Sequence, residues 1–174
     1  KFLKKKNKLS IIEYKNKVLT KKIAKEADLI ISFGYKKIIK SNIINLVKRP
    51  ILNLHMSYLP FNRGSHPNFW AFVEKTVKGV TIHEIDNKID KGSIVFRKKI
   101  NFKKINTLTF KKTYHILFKE IENLFILKFN KIMSRNYKIK IIKTKGTIHY
   151  KKDLPKKLKN WDININKYLK NYFM

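Results

Sequence analysis

Apolar and polar positions follow several distinct rhythms along this chain. Between Lys17 and Ala27, the residues Val18, Leu19, Ile23 and Ala27 recur at helical spacing, and Asp28-Leu29-Ile30-Ile31-Ser32 is a short apolar run of buried-strand type. The strand ends in Phe33-Gly34-Tyr35. Ser41 then stands where it can cap a short helix through Ile43, Ile44 and Leu46, which Arg49-Pro50 stops because a residue before proline is biased away from helix. Ile51-Leu52-Asn53-Leu54-His55 follows at once. It is apolar except at Asn53 and His55, and a strand places those two alternating side chains on one face.

From Met56 to Asn68 the chain is rich in turn formers, with Pro60, Asn62, Gly64, Ser65 and Pro67, and Phe69 to Glu74 reads as a short helix. Gly79 to Ile85 alternates like a strand, Asp86 to Gly92 reads as a turn, and Ser93 to Ile100 alternates again, which predicts a hairpin-like pair. A long helix is predicted from about Leu108 to Met133, with Phe110, Tyr114, Leu117, Ile121, Leu124 and Ile132 as its apolar stripe. A short strand near Lys138 to Ile142 and a helix near Ile163 to Phe173 complete the reading. The alternation of helix and strand at the front predicts an α/β domain with a mainly parallel sheet, partly mixed through the hairpin and flanked by helices. In such sheets, sites form beyond the carboxyl ends of strands, where Asn53 and His55 lie.

The length of 174 residues fits one domain, residues 1–174, in which residues from about 134 onward form a C-terminal extension. Cysteine is absent, which excludes disulfides, thiolate metal sites and a cysteine nucleophile and agrees with a cytoplasmic protein. No apolar run approaches the roughly 18 to 20 residues that span a bilayer, so no membrane partner is expected. The formal charge of +31 admits a nucleic-acid partner. Lysine, however, is spread along the whole chain beside abundant Ile and Asn, and arginine is confined to Arg49, Arg63, Arg97 and Arg135. A compositional origin is therefore favoured over a dedicated polyanion site.

Two polar groups on one face of an otherwise apolar strand need partners, and the turn carrying Asp86 and Asp90 offers carboxylates that could orient an imidazole. On spacing alone, a histidine in the place of His55 is more often a packed or hydrogen-bonded structural residue, and such acids are usually turn residues. His83, His115 and His149 are scattered, with no carboxylate or cysteine at ligand spacing, so no metal site is expected.

Asn53-Leu54-His55-Met56-Ser57-Tyr58-Leu59-Pro60, then Arg63-Gly64, then Gly79-Val80-Thr81-Ile82-His83, then Ile89-Asp90-Lys91-Gly92, resembles the catalytic core of the 10-formyltetrahydrofolate-dependent formyltransferases. The resemblance spans about Asp28 to Ile100 and implies a Rossmann-like formyltransferase domain and a transferase of one-carbon metabolism. It implies that the Asn53 amide steadies the oxyanion of a tetrahedral intermediate, that His55 assists proton transfer, and that Asp90 orients His55 and a water. It further implies that Tyr35, Lys36, Lys37, Ile38 and Ile39 wrap the pterin of 10-formyltetrahydrofolate, and that Ile85, Asp86, Asn87 and Ile89 close over its other edge. Ile38, Ile39 and Ile85 would look the same as ordinary core residues. Ser57, Arg63 and His66, in the turn and loop after His55, are the expected acceptor contacts, and Trp70 is expected in the core.

In family members a first strand and glycine-bearing turn precede the helix, and nothing before Lys17 resembles them. Either an N-terminal strand and turn lie outside this sequence, or the acceptor is gripped elsewhere. Arg63-Gly64-Ser65-His66-Pro67-Asn68-Phe69-Trp70 is most similar to the sugar N-formyltransferases, which favours a small primary amine such as a nucleotide-linked amino sugar as acceptor. A methionyl-tRNA formyltransferase-like enzyme is the alternative, for which the stretch after Ile100 leaves little room for a tRNA-binding barrel. A non-catalytic basic RNA-binding module on the same scaffold is a further one. The sequence is silent on oligomeric state.

Overall fold

The computed structural model describes residues 9–14, 17–103, 105–158 and 160–172. Its elements run in the order α1 (Lys21–Glu26), β1 (Ile31–Ser32), α2 (Ser41–Ile44), β2 (Leu52–His55), β3 (Arg63–Gly64), α3 (Pro67–Val73), β4 (Gly79–Glu84), β5 (Ile94–Lys99), α4 (Phe110–Met133), β6 (Ile148–His149) and α5 (Ile165–Tyr172). Thr20 begins α1 by accepting a hydrogen bond from the Ile23 N–H at 3.3 Å, the side-chain capping that an unpaired first turn needs. Ser41, expected as a cap, is instead the first residue of α2. Lys40 holds the extended capping backbone ahead of it, without a side-chain hydrogen bond.

The main sheet has the order β1-β2-β4-β5. β1 and β2 are parallel, joined by a crossover through α2, whereas β2–β4 and β4–β5 are antiparallel. The α/β class and the mixed hairpin edge are as the pattern predicted. The parallel share among the described strands is smaller than the helix–strand alternation suggested, because β4 returns beside β2 without a parallel crossover. A second, two-stranded sheet pairs β3 with β6 in parallel. The strand expected near Lys138 to Ile142 reduces to a single bridge between Ile94 and Lys140. Phe173, the expected end of the terminal helix, lies outside the described residues.

Strand alternation and helix periodicity together decide where the core sits. Leu52 and Leu54 of β2, Val80 and Ile82 of β4, and Val95 of β5 pack against Leu117, Ile121, Leu124, Phe125, Phe129 and Ile132 of α4. Tyr114, counted in the stripe on spacing, is 43% exposed. A second cluster joins Phe69, Trp70, Phe72 and Val73 of α3 to Phe110 and Ile165. With alternate side chains of β2 and β4 committed to α4, Asn53, His55, Thr81 and His83 face the opposite way.

Candidate active site

Register brings the polar face together. Asn53 lies opposite His83 and His55 opposite Thr81 in the antiparallel β2–β4 pair. Asp90 arrives from the loop between β4 and β5, in the left-handed region at φ 47°, which aspartate tolerates better than most residues. Asn53 Nδ2 donates to Asp90 Oδ1 at 3.3 Å and lies 3.2 Å from His83 Nε2. His83 Nε2 is 3.4 Å from Asp90 Oδ1, and His55 Nδ1 is 3.7 Å from Asp90 Oδ2. The Gly64 N–H donates to Asp90 Oδ2 at 2.8 Å.

The surroundings determine protons as well as positions. His83 Nδ1 is 2.8 Å from the Glu84 carbonyl, which can only accept, so Nδ1 carries a proton, while Nε2 faces both the Asn53 amide and Asp90 Oδ1. His55 Nε2 faces the Asn62 carbonyl at 3.4 Å. Burial pushes the His55 pKa below the ordinary 6.5 despite the upward pull of Asp90, so the imidazole is neutral at neutral pH. For Asp90, burial acts upward, but the imidazoles of His55 and His83 and the Gly64 N–H outweigh it and hold the carboxyl well below the usual carboxylate range. The result is a neutral imidazole and an amide donor arranged around a buried carboxylate.

His83 is the neighbour that spacing missed: it stands seven positions from Asp90 in sequence and meets it in space, as His149 meets Glu74 at 2.7 Å. Alternation along β4 puts His83 and Thr81 on one face, and only the register of β4 on β2 reveals which partner His83 faces. The donor atoms of His55, His83 and Asp90 lie within 4.8 Å of one another, a grouping with metal-ligand chemistry too. Asn53 Nδ2 lies 3.2 Å from His83 Nε2, the atom that such a ligand would use.

The other expected residues divide. Ile85, Asp86 and Asn87 line an open cleft of about 710 Å³ together with Lys91, Arg49 and Ile141, whereas Tyr35 to Ile39 do not line it. The Tyr35 hydroxyl accepts from the Leu19 N–H at 3.0 Å. Lys36 and Lys37 are exposed, and Ile38 and Ile89 are 78% and 37% exposed, so these two isoleucines are not core residues. Ile39 is half-buried. Ser57 is buried in the turn after His55, its carbonyl accepting from Thr81 Oγ1 at 2.7 Å. Its hydroxyl has no hydrogen-bond partner among the described residues. Arg63 Nε donates to the Thr147 carbonyl at 3.4 Å. The His66 ring stacks on Trp161 at 5.2 Å between centroids, with a left-handed backbone at φ 52°. Burial and then Lys151 lower the His66 pKa. Trp70 is buried, as expected.

A family profile described as formyl transferase matches residues 1–124. The chain belongs to the formyl transferase family. Within that family it is 29% identical over 143 residues to the dTDP-4-amino-4,6-dideoxyglucose formyltransferase of Mycobacterium tuberculosis, covering 82% of this chain and 58% of the relative. It thus spans less than two thirds of the length of that relative. It is 36% identical over 83 residues to the methionyl-tRNA formyltransferase of Listeria welshimeri, covering 47% of this chain and 27% of that one. Among solved structures, the formyltransferase PseJ from Anoxybacillus kamchatkensis, in complex with UDP-4,6-dideoxy-4-formamido-L-AltNAc and tetrahydrofolate, matches with a TM-score of 0.87. The identity is 34%, over 95% of this chain and 89% of that one. No helix among the described residues is long and apolar enough to cross a membrane.

Proposed function

We propose that this formyl transferase moves the formyl group of 10-formyltetrahydrofolate to the primary amine of a nucleotide-linked amino sugar, at Asn53, His55 and Asp90. The observation that carries the reading is the convergence of a neutral buried imidazole and an amide donor on one ionised, buried carboxylate. The reaction needs these groups. The neutral amine attacks the formyl carbon, the carbonyl electrons move to oxygen, the amine nitrogen gives up a proton, and N10 of the folate takes one as the carbon–nitrogen bond breaks. The products are a formamide and tetrahydrofolate.

Asn53 supplies an N–H for the oxyanion, a donor worth about 10²- to 10³-fold in rate at comparable sites. His55 accepts the proton of the attacking amine and returns one to the leaving nitrogen. Asp90 holds the imidazole and favours the imidazolium that forms. Ile38 and Ile89, apolar and exposed on loops after β1 and β4, together with Tyr35, Lys36, Lys37, Ile39, Ile85, Asp86 and Asn87, are the residues that would hold the folate.

Arg63 and His66 follow Asn62 in the same loop, with Ser57 in the preceding turn, on the side where the acceptor enters. The stacked His66–Trp161 pair offers an aromatic edge for a planar base, which favours a nucleotide-linked acceptor. Formyl donors and candidate amines are to be screened by tetrahydrofolate release. Turnover is expected with a dTDP- or UDP-linked amino hexose and not with methionyl-tRNA. Turnover with methionyl-tRNA alone would reassign the acceptor, and no turnover with any amine would refute the reading.

A further inference from the structure

Side chains from three separate segments converge on one carboxylate outside the proposed centre. Glu74, at the carboxyl end of α3, accepts at Oε2 from Asn62 Nδ2 and from Thr147 Oγ1, each at 2.8 Å, and at Oε1 from His149 Nε2 at 2.7 Å. The Trp70 ring stacks on the His149 imidazole at 4.0 Å with 9° between planes, which aims Nε2 at the carboxylate. Asn62 is fully buried and left-handed at φ 55°. Its Oδ1 accepts from Thr76 Oγ1 at 2.7 Å, and its N–H donates to Thr147 Oγ1 at 2.9 Å. This is a closed polar network, the arrangement that specifies a single local geometry.

The same short loop touches both ionisable members of the proposed centre through its backbone. The Asn62 carbonyl faces His55 Nε2, and the Gly64 N–H donates to Asp90 Oδ2. The loop is clamped from outside by the segment around β6. Arg63 N–H donates to the Thr147 carbonyl at 2.9 Å and Ser65 N–H to the His149 carbonyl at 2.7 Å. At Gly146 a Cβ would stand 1.8 Å from the Pro60 carbonyl oxygen, and at Gly64 one would stand 2.3 Å from the His149 carbonyl oxygen. Two backbones therefore touch with no room for a side chain between them. Residues 146–149 lie beyond the stretch matched by the family profile.

We propose that Glu74 is a positioning residue for formyl transfer: through Asn62, Thr147 and His149 it fixes the loop whose backbone sets the places of His55 and Asp90. The inference rests on the assignment of the reaction to those two residues. Removing the carboxylate leaves three donors facing an empty site and releases a loop whose displacement by an ångström is enough to cost up to about a hundredfold in rate.

Glu74→Ala is expected to lower kcat by about tenfold to a hundredfold while KM for folate and acceptor stays within about threefold. Glu74→Gln, which keeps an acceptor of the same length, is expected to recover most of that loss. An independent readout is the Gly64 backbone amide in the folded, unreacting protein. Its resonance should move upfield and its hydrogen exchange accelerate in Glu74→Ala, as the bond to Asp90 loosens. If Glu74→Ala does not fold, Thr147→Val carries the same test, with a smaller kcat loss and the same shift. A folded variant with kcat within threefold of the parent, or with an unchanged Gly64 amide, overturns the proposal. If the parent protein transfers no formyl group, the reaction assignment fails, and the Gly64 amide still decides the positioning.

Discussion

Asp90 answers to different partners with its two oxygens. Oδ1 takes the Asn53 amide and faces His83, while Oδ2 takes the Gly64 N–H and faces His55. Asp90→Asn keeps the outline and removes the charge, so it should lower kcat by at least about a hundredfold with little change in KM. Steady-state tetrahydrofolate release measures this, and a loss under tenfold would remove Asp90 from the centre. The same two groups make stability pH-dependent. Unfolded His55 binds a proton below its ordinary 6.5, whereas the buried imidazole resists. The unfolded state then takes up more protons, and stability present above 6.5 is lost as pH falls through the window below it. Asp90 adds a second loss below its ordinary 3.8, where the unfolded carboxyl protonates and the folded one stays ionised. Tm should fall between pH 7.5 and 5.5, and His55→Asn should flatten part of that slope; a Tm independent of pH in the parent contradicts it.

Among the elements, β6 has the largest effect for its size. Its two residues are both half-buried, yet they pair with β3 and close the loop over the proposed centre. Gly64 is the narrow point, with φ at +84° and the His149 carbonyl where a Cβ would go. Gly64→Ala should therefore destabilise the chain by at least about 2 kcal/mol, the left-handed penalty plus a contact that neither backbone can relieve. Denaturant unfolding tests this. A variant as stable as the parent would mean that β3 and β6 are not held in contact in solution.

At the scale of the whole molecule, a formal charge of +31 on 174 residues sets up self-repulsion that the few acids offset only locally, as at Lys48–Asp28 and Lys98–Glu120. Screening by salt should stabilise the folded state. Tm is expected to rise between about 0.01 M and 0.5 M sodium chloride, over which the screening length falls from roughly 30 Å to a few ångströms. A falling Tm over that range would mean that attractive pairs dominate.

How much of this was legible depends on the range of the interaction. The pairing of Asn53 with His55 on one face, the β4–β5 hairpin and the end of α4 at Met133 follow from periods of two and 3.6 residues, which neighbours in the chain impose on one another. The resemblance of the segments around Asn53, Arg63, Gly79 and Asp90 then gave that face a chemistry. The place of His83 beside Asn53 could not be read locally, because it depends on the register of β4 against β2. Nor could the contact of Glu74 with His149, which are 75 residues apart. Local pattern determines which face a side chain takes. Which groups meet on that face, and so which protons they hold, is decided where strands pair and loops return, since buried polar groups find their partners only once the chain has closed around them.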